Sequence, residues 1–90
     1  MSAPNWQLVY TTQAQKDAKK LAHSGLKSKA LELLNILQIN PYQTPPPYEK
    51  LAGGLEKSYS RRINVQHRLV YEIIEPSHHV KILRMWTHYK

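Results

Sequence analysis

The sequence has 90 residues, 41% of them hydrophobic and none of them cysteine. That is enough for one core and excludes both a disulfide framework and a thiolate metal site. Thirteen Lys and Arg against six Asp and Glu leave a formal charge of +7 and a pI near 9.8, a balance that favours polyanionic partners: nucleic acid, an anionic membrane surface or an acidic protein.

No run approaches the roughly 20 apolar residues needed to cross a bilayer, and no basic start leads into an apolar stretch. A single domain over residues 1–90, in a reducing cytoplasmic setting and with no membrane partner, is therefore expected.

Asn5 to Tyr10 (NWQLVY) is rich in Trp, Val and Tyr and reads as an opening strand. Thr11 and Thr12 then offer an N-cap for a helix through about His23, and Gly25 is placed to stop it. Ala14, Ala18, Leu21 and Ala22 fall at helical spacing, with Lys16, Asp17, Lys19 and Lys20 expected to project elsewhere. A second helix is predicted from about Lys27 to Gln38, with an apolar stripe of Leu26, Ala30, Leu33, Leu34 and Leu37. The Ser24-Gly25 connection is short enough to make the pair an antiparallel hairpin.

Asn40-Pro41 ends the hairpin, and Tyr42 to Tyr48 (YQTPPPY) is a proline-stiffened, extended connector. Strands are predicted at Ser58 to Ile63, His67 to Glu75 and Val80 to His88, joined by turns at Asn64-Val65-Gln66 and Pro76-Ser77. The order strand, two helices, three antiparallel strands predicts an α+β fold: two N-terminal helices packed on one face of a twisted antiparallel sheet. Trp6, Tyr71 and Trp86 lie in strand runs among Leu, Val and Ile and read as core.

The chemistry suggested by a basic chain of this kind is acid–base cleavage of RNA. A base takes the 2′-hydroxyl proton, the freed oxygen attacks phosphorus, a cation meets charge on the phosphoryl oxygens, and an acid protonates the leaving 5′-oxygen. Carboxylate, arginine and histidine suit those tasks, and Glu49, Arg61, Arg62, Arg68 and His88 lie in the sheet half, with Lys50, Lys57 and Tyr89 nearby. The same residues have an ordinary reading: a solvated basic face, a loop carboxylate and a chain tail. The five histidines suggest no metal site, because adjacent His78 and His79 should point apart and no pair has helical i,i+4 spacing. No metal or other cofactor is expected.

A resemblance adds what spacing leaves open. Glu49-Lys50-Leu51, Gly53-Gly54-Leu55, Tyr59-Ser60-Arg61-Arg62-Ile63, His67-Arg68-Leu69-Val70-Tyr71 and His88-Tyr89 together resemble the YoeB/Txe toxins of type II toxin–antitoxin systems, within the RelE-like group. The likeness is strong from Tyr48 to Tyr71 and at His88-Tyr89, and weak over the helical half. It implies an endoribonuclease that cuts messenger RNA in the ribosomal A site without a metal and is silenced by a cognate antitoxin. Position by position, it implies that Glu49 is the general base, His88 the general acid, Arg68 the residue that stabilises the scissile phosphate and Tyr89 a substrate-positioning tyrosine. Arg62 would support the phosphate, with Arg61, Lys50 and Lys57 as further phosphate-binding candidates. Two departures stand out: Tyr59 replaces the usual tryptophan, and Lys90 follows the His-Tyr pair.

The expected function is thus a ribosome-dependent mRNA interferase that inhibits translation. Its expected partners are the ribosome with its mRNA and an acidic YefM/Axe-like antitoxin. Operator DNA would be met only through the antitoxin complex, and a homodimer is compatible with the family. The main rival is a non-catalytic basic module acting with an antitoxin as transcriptional co-repressor, which would have no use for Glu49 in a basic groove. A membrane-surface protein ranks last, for want of a basic amphipathic helix with large apolar residues.

Overall fold

The computed structural model describes residues 5–51 and 58–86. Strand β1 (Gln7–Tyr10) leads into helix α1 (Thr12–Ser24). The Thr11 side chain caps α1 by accepting the Ala14 N–H at 3.0 Å, one of the donors that a helix start leaves unpaired. Gly25 ends α1 in the left-handed region at φ 83°, a conformation that a Cβ disfavours. Helix α2 (Lys27–Ile39) follows at once and closes where the Asn40 N–H returns to the Ile36 carbonyl.

One face of each helix is apolar. In α2 this is Ala30, Leu33, Leu34 and Leu37. In α1 it is Ala14, Leu21 and the half-buried Ala18, together with Asp17, which was expected to project outwards and is instead buried. The reason is spacing, since Asp17 lies three residues after Ala14 and four before Leu21. Ala22, expected on the stripe, is exposed.

Strands β2 (Glu49–Lys50), β3 (Ser58–Arg62), β4 (Arg68–Ile74) and β5 (His79–Arg84) complete a sheet of order β1-β5-β4-β3-β2. The meander β3–β4–β5 is antiparallel, as expected. The sheet as a whole is mixed, because β1 pairs parallel to β5, with Leu8 opposite Val80 and Tyr10 opposite Ile82. Parallel neighbours need a long connection, and here it is the whole chain between β1 and β5. The expected third strand stops at Arg84 rather than running on through Trp86.

Alternation sorts the strands into two faces. Leu69, Tyr71, Ile73, Val80 and Ile82 meet the helices in a single core with Leu21, Leu33 and Leu37. Trp6 and Tyr71 are buried in it, while Trp86 is half-buried at its rim. Among the described residues, no helix is long and apolar enough to cross a membrane.

Candidate active site

The open face of the sheet gathers three of the residues singled out in the sequence. Glu49 stands opposite Ser60 in the β2–β3 ladder, and Arg62 stands opposite Arg68 in β3–β4. Cross-strand pairing therefore puts Glu49, Ser60, Arg62 and Arg68 on one side of the sheet. Arg68 Nη1 donates to Glu49 Oε1 at 2.6 Å and to Ser60 Oγ at 3.3 Å.

The partners differ in setting: the Arg68 side chain is 17% exposed and that of Glu49 68%. The hydrogen bond and charge of Arg68, helped by Arg62, hold the Glu49 carboxyl below its ordinary range. So exposed a pair adds little stability. Its effect is positional, since it fixes the arginine head by one nitrogen. Among the described residues Arg68 Nε and Nη2 donate to nothing, which leaves an arginine edge available to an oxyanion.

Two phosphate-binding candidates are placed elsewhere. Arg61 is 1% exposed on the helix-facing side, opposite Leu69. Its Nε donates to the Tyr71 hydroxyl (3.0 Å), Nη1 to the Pro46 carbonyl (2.6 Å) and Nη2 to the Pro41 carbonyl (2.9 Å). Its guanidinium carbon lies 4.9 Å from the centre of the Tyr48 ring. Arg61 therefore binds the proline connector rather than a phosphate, and fastens both ends of the segment that delivers Glu49. Burial pushes the Tyr71 hydroxyl up to about 12 against the opposing pull of Arg61, so Tyr71 stays a neutral partner.

Lys50 follows Glu49 in an extended strand and so points to the other face, where it lines a cavity of about 580 Å³ with Tyr42, Tyr59 and Glu75. It does not join Glu49 and Arg68. Lys57, His88 and Tyr89 lie outside the described residues.

No three His, Asp or Glu side chains among the described residues gather into a metal-binding group. His78 stacks on Trp6, with ring centres 4.4 Å apart, while His79 Nδ1 shares a 2.8 Å hydrogen bond with Ser77 Oγ.

A second polar cluster went unnoticed in the sequence. Asp17 is fully buried. Its Oδ2 accepts from Arg84 Nε (2.9 Å) and from the backbone N–H groups of Met85 (3.0 Å) and Trp86 (3.3 Å). Gln13 Nε2 donates to Oδ1 at 3.0 Å. Burial raises the Asp17 pKa, but the bonds from Arg84, Met85 and Gln13 outweigh it and leave the carboxyl below its ordinary value. Beyond this cluster the Trp86 ring stacks on His67, with centres 3.8 Å apart and planes 21° from parallel. His67 is buried and immediately precedes Arg68 in the chain. The one signal available was a carboxylate on an apolar helical stripe, which requires a buried partner.

Two helices on one face of such a sheet define the RelE-like toxin fold. A structure described as a YoeB/ParE toxin from Agrobacterium tumefaciens matches with a TM-score of 0.84 at 24% identity, over 92% of this chain and 99% of that one. The YoeB dimer from Staphylococcus aureus matches at 0.81 and 33% identity, over 94% and 99%. A YoeB-YefM complex from Staphylococcus aureus matches at 0.77 and 33%, over 93% and 98%. No curated relative matches the sequence. The model of the YoeB-like toxins of bacterial type II toxin-antitoxin systems covers residues 6–89, and the chain belongs to that family.

Proposed function

We propose that this toxin is a ribosome-dependent mRNA endonuclease, a single catalytic unit working in the cytoplasm and held in check by an acidic antitoxin. The observation that carries the reading is Arg68, anchored through Nη1 to Glu49 and Ser60 with its other nitrogens unengaged among the described residues, beside Arg62 on the same face. A binding surface would gain nothing from a carboxylate among these arginines. A cleavage site can use one as its general base.

In the proposed reaction Glu49 takes the proton from the 2′-hydroxyl, and the freed oxygen attacks the adjacent phosphorus. Arg68 and Arg62 meet the charge that grows on the phosphoryl oxygens, where oriented donors are most effective. His88 gives a proton to the departing 5′-oxygen, and Tyr89 positions the substrate. The products are a 2′,3′-cyclic phosphate and a 5′-hydroxyl, so the proton lost by the nucleophile is balanced by the one given to the leaving group.

The depressed Glu49 pKa keeps the base ionised but makes it weak. A substrate phosphate that takes over the Arg68 charge would raise that pKa towards the reacting range, strengthening the base only when substrate is bound. All these tasks fall to side chains, and the reading needs no metal.

The YoeB-YefM complex of the Staphylococcus aureus relative and the formal charge of +7 support an acidic antitoxin partner, with operator DNA contacted only through that complex. The Staphylococcus aureus dimer supports pairing of two copies.

The decisive substrate is a programmed ribosome whose A-site codon carries 2′-deoxy nucleotides. The ribose codon should be cut to a 2′,3′-cyclic end and the deoxy codon left intact, because the nucleophile is absent. Cleavage of the deoxy codon would refute the mechanism. An intact ribose codon would favour the co-repressor reading.

A further inference from the structure

The last ladder partner of β5 is Arg84, opposite Val70. Two residues further on, Trp86 rests against His67, next to Arg68. Backbone groups released from a sheet edge must find other partners or be costly to bury. Here the Met85 and Trp86 N–H groups both donate to the Asp17 carboxylate on α1. Arg84 closes the circuit by donating Nε to the same oxygen and Nη2 to the Trp86 carbonyl at 3.2 Å. A second tie from the start of α1 lies just before the cluster, where the Thr11 hydroxyl donates to the Leu83 carbonyl at 3.0 Å. One buried carboxylate thus fixes the direction in which the chain leaves the sheet.

The core would not need this device. Val80 and Ile82 already bind β5 to the helices, and an apolar side chain at position 17 would pack there without the desolvation that a buried carboxylate incurs. What the carboxylate adds is direction. Three donors converge on Oδ2 from Arg84, Met85 and Trp86, and all three lie just upstream of His88 and Tyr89 in the chain. The charge is held where an ionised acceptor binds several N–H groups more firmly than a neutral one.

We infer that Asp17 is a positioning residue for cleavage: by clamping Arg84, Met85 and Trp86 it fixes how the chain leaves the sheet just before His88, the residue to which the nuclease reading gives the acid's role. The inference rests on the nuclease reading above, and its effect belongs on the chemical step rather than on RNA binding. Misplacing a reacting group by about 1 Å can cost on the order of 10²-fold in rate.

The test uses the whole chain and two readouts. In a Trp6→Phe background Trp86 is the sole tryptophan, because the chain has two. Asp17→Asn, close to isosteric, should make Trp86 emission redder and more open to acrylamide quenching while the remaining fold persists in circular dichroism. This arm needs no nuclease activity. Unchanged Trp86 emission and quenching would overturn the clamp even if the nuclease reading failed.

In single-turnover cleavage on programmed ribosomes, Asp17→Asn should lower the maximal rate by roughly 10- to 100-fold and leave the half-saturating ribosome concentration within about twofold. Made in a His88→Ala background, the same substitution should cost almost nothing further, because the residue it positions has gone. An equal loss in both backgrounds, or a wild-type rate with a loosened Trp86, would overturn the positioning role. If Asp17→Asn does not fold, Arg84→Gln takes its place. It removes a 41%-exposed partner and leaves the carboxylate on its two backbone donors, and the same two outcomes decide.

Discussion

Replacing Arg61 by methionine separates a buried tie from a surface phosphate contact. The substitution preserves much of the aliphatic stem and removes the guanidinium, leaving the Pro41 and Pro46 carbonyls and the Tyr71 hydroxyl without their donors. Each orphaned acceptor costs about 1–3 kcal/mol when buried. The Pro46 bond is only partly buried, so water relieves some of that loss, and removing a buried charge recovers some desolvation. A net loss of about 3–4 kcal/mol follows, a large share of the roughly 5–15 kcal/mol available to a small domain.

At about 4–8 °C per kcal/mol for a chain of this size, the melting temperature should fall by more than 12 °C. In urea the midpoint should drop with little change in slope, because the surface exposed on unfolding is nearly the same. Arg61→Lys should fall between, since an ammonium can reach one or two of three acceptors spread around a planar fork. A surface arginine would behave otherwise, with stability shifting by no more than about 0.5 kcal/mol. An Arg61→Met melt within about 3 °C of wild type would refute the assignment of Arg61 to the connector.

Arg62→Ala should weaken ribosome or RNA binding and reduce the magnitude of the salt slope by about one, as expected when one phosphate contact is lost. Lys50→Ala, on the opposite face from Glu49, should change that slope less, and titrating binding against salt compares the two. The depressed Asp17 pKa implies stability that is fully present above the ordinary aspartate value and lost as pH falls through the lower folded one. Wild type should therefore lose stability as pH falls from the ordinary aspartate range through the lower folded one, and Asp17→Asn should start lower and fall less steeply over that range. Urea midpoints across that range measure it, and parallel curves would contradict the linkage.

The helical hairpin was legible because its signals are local. Thr11 accepts the Ala14 N–H three residues on, Gly25 adopts the conformation that few other residues accept, and the Leu33, Leu34 and Leu37 spacing defines a face. The meander was legible for the same reason, through turns such as the one in which Asn64 Oδ1 accepts the Gln66 and His67 N–H groups.

The placement of β1 beside β5 was not, since nothing in NWQLVY names a partner more than 70 residues away in sequence (Gln7 pairs with His79). The two-residue strand at Glu49–Lys50 was equally silent, being too short to carry a pattern.

The two adjacent arginines of β3 carry a signal that strand alternation alone makes readable. Arg61 and Arg62 are adjacent in a strand and must face opposite ways, so only one of them can share a face with Arg68. Register assigns that place to Arg62. Asp17 was misplaced by its charge, although its spacing from Ala14 and Leu21 already put it inside. The chemistry of Glu49 and Arg68 came from a resemblance, and no periodicity in the sequence would have paired them.

The most direct measurement is the single-turnover cleavage rate of Arg68→Ala on programmed ribosomes at saturating concentration, with His88→Ala beside it and a thermal melt of each. If Arg68 stabilises the transition state, its rate should fall about 10²- to 10³-fold with folding intact. Loss of His88, the proposed acid, should cost on the order of 10²- to 10⁴-fold. Both variants cutting at the wild-type rate once bound would contradict the account, leaving Arg68 and the C-terminal histidine with binding roles alone.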